Sequence, residues 1–167
     1  NFFEYYKLSA FLRHNIRKPI GLVMGISNLA DIFKEKYYET LQGGILEAFG
    51  ILFKDNIRIY AYPIEKENFE RYRKQIGIGD NVEVEATEDG LVTIDNLLVA
   101  KNLRNLYKYV RENGVLESIQ DCDRANMGLF SRDAFERVRE RRDGWSEIVP
   151  TCVAELIKKK NLWRAPM

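Results

Sequence analysis

Gly25-Ile26-Ser27-Asn28 stands where a short apolar run ends and helical spacing begins, and a junction of this kind can bind an anion. A glycine lets a phosphate or carboxylate approach the backbone, the first N–H groups of the helix point outward, and Ser27 and Asn28 add side-chain donors. The same four residues also serve as a tight strand-to-helix turn capped by Ser27, a structural role worth about 1 kcal/mol. Phe130-Ser131-Arg132-Asp133 is a second such junction, with Ser131 as cap and Arg132 as a forked cation for an anion. Its plainer reading is a capped helix with a solvated arginine. Where both junctions follow strands of one parallel sheet, Gly25, Ser27, Asn28, Ser131 and Arg132 can face one crevice. Lys36-Tyr37-Tyr38, followed by Gly43-Gly44, suits a segment that covers a substrate, with Lys36 reaching a phosphate and Tyr37 stacking on a base. A helix end with snorkelling aromatics accounts for the same residues.

Catalytic groups are sparse. His14 is the single histidine, and at a helix end such a residue more often complements the dipole than acts as a base. Gly77-Ile78-Gly79-Asp80 lacks the third glycine and the preceding strand of a dinucleotide fingerprint, and reads as a loop. Cys122 and Cys152 have no metal-ligand spacing and are too few for a disulfide framework, which fits a reducing compartment and a cytoplasmic location. No catalytic residue and no metal site is assigned, and a nucleotide is the one cofactor kept open.

The 167 residues carry 26 Lys and Arg against 25 Asp and Glu, so no net field favours nucleic acid or an acidic membrane. Arg137 to Arg142 is basic but lacks the interleaved aromatics of a base-stacking platform. No apolar run approaches the roughly 20 residues that span a bilayer. Asn1-Phe2-Phe3-Glu4 has neither the basic region of a signal peptide nor an initiator Met, and the chain reads as the C-terminal fragment of a longer protein. Its size and composition suit a single domain over 1–167.

The elements that must position these residues follow from spacing. Phe2, Tyr5, Tyr6, Leu8, Phe11 and Leu12 predict an amphipathic first helix that ends near His14-Asn15, because Pro19 blocks its extension. Ile20 to Met24 predicts a strand covered on both faces, and Ile57 to Tyr62 and Val115 to Ile119 predict two more. Between the first two strands, helices are expected from Ser27 and from Ile45 to Phe53, separated by Gly43-Gly44. Helical spacing from Leu97 to Val110 stops at Asn113-Gly114. Two last helices start at Ser131 and after Pro150, the latter ending on Lys158-Lys159-Lys160 at the negative end of its dipole. Residues 65–95 read as a peripheral α+β insertion. It comprises a charged helix over Glu65 to Gln75 and a hairpin of Val82 to Glu85 with Leu91 to Ile94 around Glu88-Asp89-Gly90. The order implies an α/β fold, a mainly parallel sheet with helices on both faces in a Rossmann-like, three-layer arrangement.

Gly21-Leu22-Val23-Met24-Gly25, Glu35-Lys36-Tyr37-Tyr38, Gly43-Gly44-Ile45-Leu46-Glu47-Ala48-Phe49-Gly50 and Tyr60-Ala61-Tyr62-Pro63 resemble a larger bacterial family, in its C-terminal part. Asn96-Leu97, Leu103-Arg104-Asn105-Leu106-Tyr107, Phe130-Ser131-Arg132-Asp133 and Val153-Ala154-Glu155-Leu156-Ile157-Lys158 extend the resemblance over nearly the whole chain. That family is labelled nicotinate-nucleotide or nicotinamide mononucleotide adenylyltransferase, with some members labelled TonB-dependent receptor. The receptor label conflicts with the many alternating strands that an outer-membrane barrel requires. The adenylyltransferase label implies nucleotidyl transfer, for which such enzymes present a His-x-x-His or His-x-Gly-His pair. With one histidine here, that chemistry would lie largely outside these residues, and no catalytic residue carries over. The stretch from Glu65 to about Ile94 is longer than the family's corresponding connection.

Two functions from different classes follow. In the first, the chain is a nucleotide- or phosphometabolite-binding α/β domain of an adenylyltransferase-like protein. In the second it is a non-catalytic assembly domain, whose aromatic faces, including Phe2, Phe3, Tyr5, Tyr6, Phe69 and Tyr72, pack on the remainder of its own longer chain or on a second subunit.

Overall fold

The computed structural model describes residues 4–54, 56–76, 82–85 and 89–163. Phe2, Phe3 and Gly77 to Asp80 lie outside the described residues. Chain order begins with α1 (Tyr5–Asn15), β1 (Ile20–Gly25), α2 (Ile26–Ile32), α3 (Gly44–Leu52) and β2 (Ile57–Tyr62). It continues with β3 (Ile64–Glu65), α4 (Lys66–Ile76), β4 (Glu83–Val84), β5 (Leu91–Val92), β6 (Leu97–Leu98), α5 (Arg104–Glu112) and β7 (Leu116–Ser118). The last helices are α6 (Ser131–Arg139) and α7 (Thr151–Lys160). Two compact units result, Asn1–Met127 and Gly128–Met167. Among the described residues no helix is long and apolar enough to cross a membrane.

The first unit is built on a three-stranded parallel sheet in the order β1-β2-β7. Pro19, with no N–H and a fixed φ, separates α1 from β1. The uncharged run Ile20 to Gly25 then pairs with β2 along its full length, from Ile20 opposite Ile57 to Gly25 opposite Tyr62. Alternation divides β2 cleanly: Ile57, Ile59 and Ala61 are fully buried, while Arg58 and Tyr62 are exposed and Tyr60 is half-buried. Helices α2 and α5 pack on the sheet, and α1 packs on α3. Phe33, just after α2, meets the rings of Phe49 and Tyr107 edge-on at 5.0 and 5.1 Å, which binds α3 and α5 into one core. The Tyr107 hydroxyl donates to the Ile94 carbonyl at 2.7 Å, and the Tyr38 hydroxyl to the Ile32 carbonyl at 2.7 Å.

The α/β class and all three expected strands of the sheet are present. On the other face of that sheet Gly21, Val23, Arg58 and Tyr62 are exposed, so within the first unit the described residues do not show a second helical layer over these positions.

The block 65–95 departs from expectation in two ways. Its two short strands do not form a hairpin with one another. Instead β5 pairs antiparallel with β3, and β4 pairs antiparallel with β6. The cause is a turn at Thr93 to Asn96 that local periodicity does not reveal. Buried Asn96 donates from Nδ2 to the Leu91 carbonyl at 2.7 Å and accepts from the Thr93 N–H at 2.8 Å, so the chain is sent back beside β4. Leu97 and Leu98 therefore form a strand and do not open the following helix, which starts at Arg104. Nor is the block peripheral: Phe69, Val82, Val92 and Ile94 are all buried.

Capping also differs. The helix expected to begin after Ser27 starts at Ile26, with Gly25 as N-cap, and ends at Ile32; a short 3-10 turn at Glu35–Tyr37 follows. Ser131 is the first helical residue of α6, behind Phe130 as N-cap, and makes no capping bond. In the second unit Ala134 and Val138 of α6 and Ala154 and Ile157 of α7 are buried. Pro150 precedes α7 as its N-cap, and the last turn carries Lys158, Lys159 and Lys160.

Two outcomes are expected. Phe69→Ala removes a fully buried ring and should cost about 3–5 kcal/mol of unfolding free energy in urea titration; a change under about 1 kcal/mol would return the 65–95 block to a peripheral role. Burial holds the Tyr38 and Tyr107 hydroxyls above the ordinary tyrosine range. A folded-state pKa above the unfolded one gives stability that is complete below about pH 10 and declines as the pH rises through the folded value. Unfolding free energy should therefore fall above about pH 10, and Tyr107→Phe should make that decline shallower.

Candidate functional site

Helix α2 leaves the carboxyl end of β1, the edge at which open α/β sheets collect ligands. A cavity of about 280 Å³ opens beside it, walled by Glu4, Tyr5, Asn28, Asp31, Ile32, Tyr37 and Tyr38. Asn28 and Asp31 stand one turn apart on α2, Glu4 and Tyr5 come from the start of α1, and Tyr37 and Tyr38 from the turn after α2.

The polar groups are organised in pairs. Lys34 Nζ lies 2.6 Å from Asp31 Oδ1, and Lys7 Nζ 2.8 Å from Glu4 Oε1. The Lys7 contact holds the Glu4 carboxyl below the usual carboxylate range, and Glu4 in turn raises the Lys7 ammonium. Burial raises the Tyr5 hydroxyl, and the neighbouring charge of Asp31 raises it further; a hydrogen bond from Asn28 works in the opposite direction. Tyr5 is therefore a neutral phenol at physiological pH. Lys36 Nζ is 5.3 Å and Lys34 Nζ 6.0 Å from the centre of the Tyr37 ring, within cation–π reach. The wall offers two carboxylates, an amide, phenolic hydroxyls and aromatic faces. Both carboxylates already have a lysine partner, so the lining offers hydrogen-bonding groups and aromatic faces with its charge balanced.

Of the residues singled out by spacing, Asn28, Tyr37 and Tyr38 line this cavity, and Lys36 stands beside Tyr37. Gly25 and Ser27 do not line it. A Cβ at Gly25 would lie 3.1 Å from Cζ and Oη of Tyr62, so that ring lies against the backbone a phosphate would have approached. Ser27 is 5% exposed, and its hydroxyl has no hydrogen-bond partner among the described residues. Gly43 is the N-cap of α3, where the Glu47 carboxylate accepts its N–H at 2.9 Å; Gly44, at φ +56°, opens the helix.

Ser131 and Arg132 belong to the second unit. They border a groove of about 490 Å³ whose other walls include Phe135, Val153, Ile157 and Trp163. Arg132 Nε is 3.4 Å from Glu136 Oε1, so its charge already has a partner. Sequence spacing missed Glu4, Tyr5 and Asp31 as cavity residues. Asp31 has the pattern of a first-turn helix acid, and Tyr5 that of an ordinary apolar position of α1. No family model, curated protein or solved structure matches the chain. Among the described residues there is no cluster of three or more His, Cys, Asp or Glu able to hold a metal ion.

Ser27→Ala removes a buried hydroxyl with no bond to lose, so its stability in urea denaturation is expected to be unchanged or to rise by about 1 kcal/mol. A loss of that size instead would show that the hydroxyl is engaged.

Proposed function

We propose that the chain is a nucleotide- or phosphometabolite-binding α/β domain, and that the ring of a pyridine mononucleotide enters the cavity beside α2. One observation carries the reading: three tyrosines and two carboxylates surround a ring-sized cavity at the carboxyl edge of a parallel sheet. A pyridinium ring is flat and positively charged, which suits aromatic faces beside Asp31 and Glu4. Its phosphate would lie outside, toward Lys36. In this reading the three strands are part of a Rossmann-like, three-layer sheet, and nucleotidyl transfer remains what the family resemblance implies. The cavity supplies binding and orientation, and no residue of this chain is assigned to the transfer step.

Calorimetry with the purified chain tests the proposal. Nicotinamide mononucleotide should bind, with nicotinate mononucleotide at least about tenfold weaker because its ring carboxylate meets Asp31 and Glu4, a difference of about 1.4 kcal/mol. Asp31→Asn and Tyr37→Ala should each weaken nicotinamide mononucleotide binding about tenfold or more. Absence of binding, or equal affinity in both variants, would overturn the assignment. Loss of binding in Arg132→Ala would overturn it as well, in favour of an anion site at Arg132.

A further inference from the structure

Lys34, two residues beyond α2, is a lysine that the fold keeps out of solvent: its side chain is 11% exposed, where lysines ordinarily reach water. Its backbone is tied from both sides. The Lys34 N–H donates to the Asp31 carbonyl at 3.1 Å, and the Lys34 carbonyl accepts the Tyr37 N–H at 3.2 Å, so the end of α2 and the turn that carries Tyr37 meet at this residue. The ammonium reaches both of the groups that the proposed reading gives to a positive ring: Nζ lies 2.6 Å from Asp31 Oδ1 and 6.0 Å from the centre of the Tyr37 ring.

The Lys34–Asp31 pair is held by charge rather than by a directed bond. Asp31 Oδ1 is buried and accepts no hydrogen bond of ordinary geometry among the described residues, although Lys34 Nζ is close to it. The other lysine–carboxylate pair at the cavity is of a different kind: Lys7 is half-exposed and donates a directed hydrogen bond to Glu4 at 2.8 Å. Two charges drawn together out of water recover their lost hydration only when the geometry is good and their remaining hydrogen bonds are made. At Asp31 that condition is unmet, and the carboxylate stays open to a cation that is easier to dehydrate than an ammonium.

We propose that Lys34 is an internal occupant of the cavity's cation position: its ammonium holds Asp31 and the Tyr37 face in the free protein, and a ring carrying a delocalised positive charge binds by displacing it toward solvent. The inference rests on the reading of the cavity as a pyridinium site and adds its regulation. Delocalised charge is the selecting property. A pyridinium ring is weakly hydrated and gives up little on leaving water, while the released ammonium regains a strong hydration shell. A neutral ring gains nothing from the charge of Asp31 and leaves the pair intact. The flexible stem of a lysine lets its head move while the backbone bonds of Lys34 stay in place. Lys34 thus holds the affinity of the site for a cationic ring below what Asp31 and Tyr37 alone would give.

Calorimetry on the purified chain compares nicotinamide mononucleotide with its reduced form, which keeps the carboxamide and the phosphate but has a neutral ring. Lys34→Met should tighten nicotinamide mononucleotide binding at least about tenfold and change that of the reduced form by less than about twofold. Lys108→Met, an equal change of charge on α5, should alter neither. Most of the gain should vanish when Asp31→Asn is added, because the two effects share one partner. Reductive methylation of lysines, read by mass spectrometry on the native chain, follows the displacement itself and decides the outcome should Lys34→Met fold poorly. Lys34 should react more slowly than exposed Lys108 in the free chain, and severalfold faster once nicotinamide mononucleotide is saturating. Binding that Asp31→Asn weakens but Lys34→Met does not tighten would overturn the role of Lys34 and leave the reading of the cavity standing. So would an equal gain for the reduced form, an equal gain in the Asp31→Asn background, or a Lys34 methylation rate that the mononucleotide leaves unchanged or lowers. Absence of binding by the native chain would overturn both.

Discussion

Parallel pairing of β1 with β2 over six consecutive residues is the constraint on which the rest of the first unit depends. Side chains alternate along a strand, so a slip of one residue would turn Ile57, Ile59 and Ala61 outward and bring Arg58, Tyr60 and Tyr62 into the core. The register also places Gly25 beside Tyr62 at the carboxyl edge. Helix α2 must therefore begin there, and its first turns carry Asn28 and Asp31 into the cavity wall. Core, open face and cavity are three results of one register.

The charged segment after β2 shows how a surface-like composition can serve the interior. Helix α4 is rich in Lys, Glu and Arg, yet Phe69 is fully buried and β3 pairs with β5 immediately before and after the excursion. Asn96 organises the return. Its side chain satisfies a backbone donor and a backbone acceptor that burial would otherwise leave unpaired. With the turn in place, Ile94 accepts the Tyr107 hydroxyl and β6 reaches β4, so a connection long enough to pass for an insertion becomes part of the packing of α5.

Electrostatics separates the cavity from the anion site that glycine and serine at a strand-to-helix junction suggest. A helix N-terminus favours negative charge, but Tyr62 lies over Gly25, and α2 is only seven residues long. The concave space forms further along the helix, where Asp31 and Glu4 supply the opposite sign. Both carboxylates have lysine partners at short distance. The lining is therefore balanced by charges set beside it, an arrangement in which a cationic ligand group would compete with Lys34 for Asp31.

What could be read from the residues alone was whatever depends on neighbours in the chain. The uncharged run before Gly25, the alternation in β2 and the apolar stretch after Gly114 each define a strand locally, and Pro150 with three lysines brackets α7. Parallel order followed from the helices between them. Partner choice did not, because the Thr93 to Asn96 turn, the pairing of β4 with β6 and the packing of Tyr62 on Gly25 join residues whose association leaves no periodic trace. The cavity belongs to the same category: Glu4 and Tyr5 meet Asn28 and Asp31 across more than twenty residues of chain. Local sequence determines which backbone conformation each segment prefers and which of its faces is apolar. Only tertiary packing decides which faces meet, because that depends on the combined fit of distant surfaces and on which polar groups find partners once water is excluded.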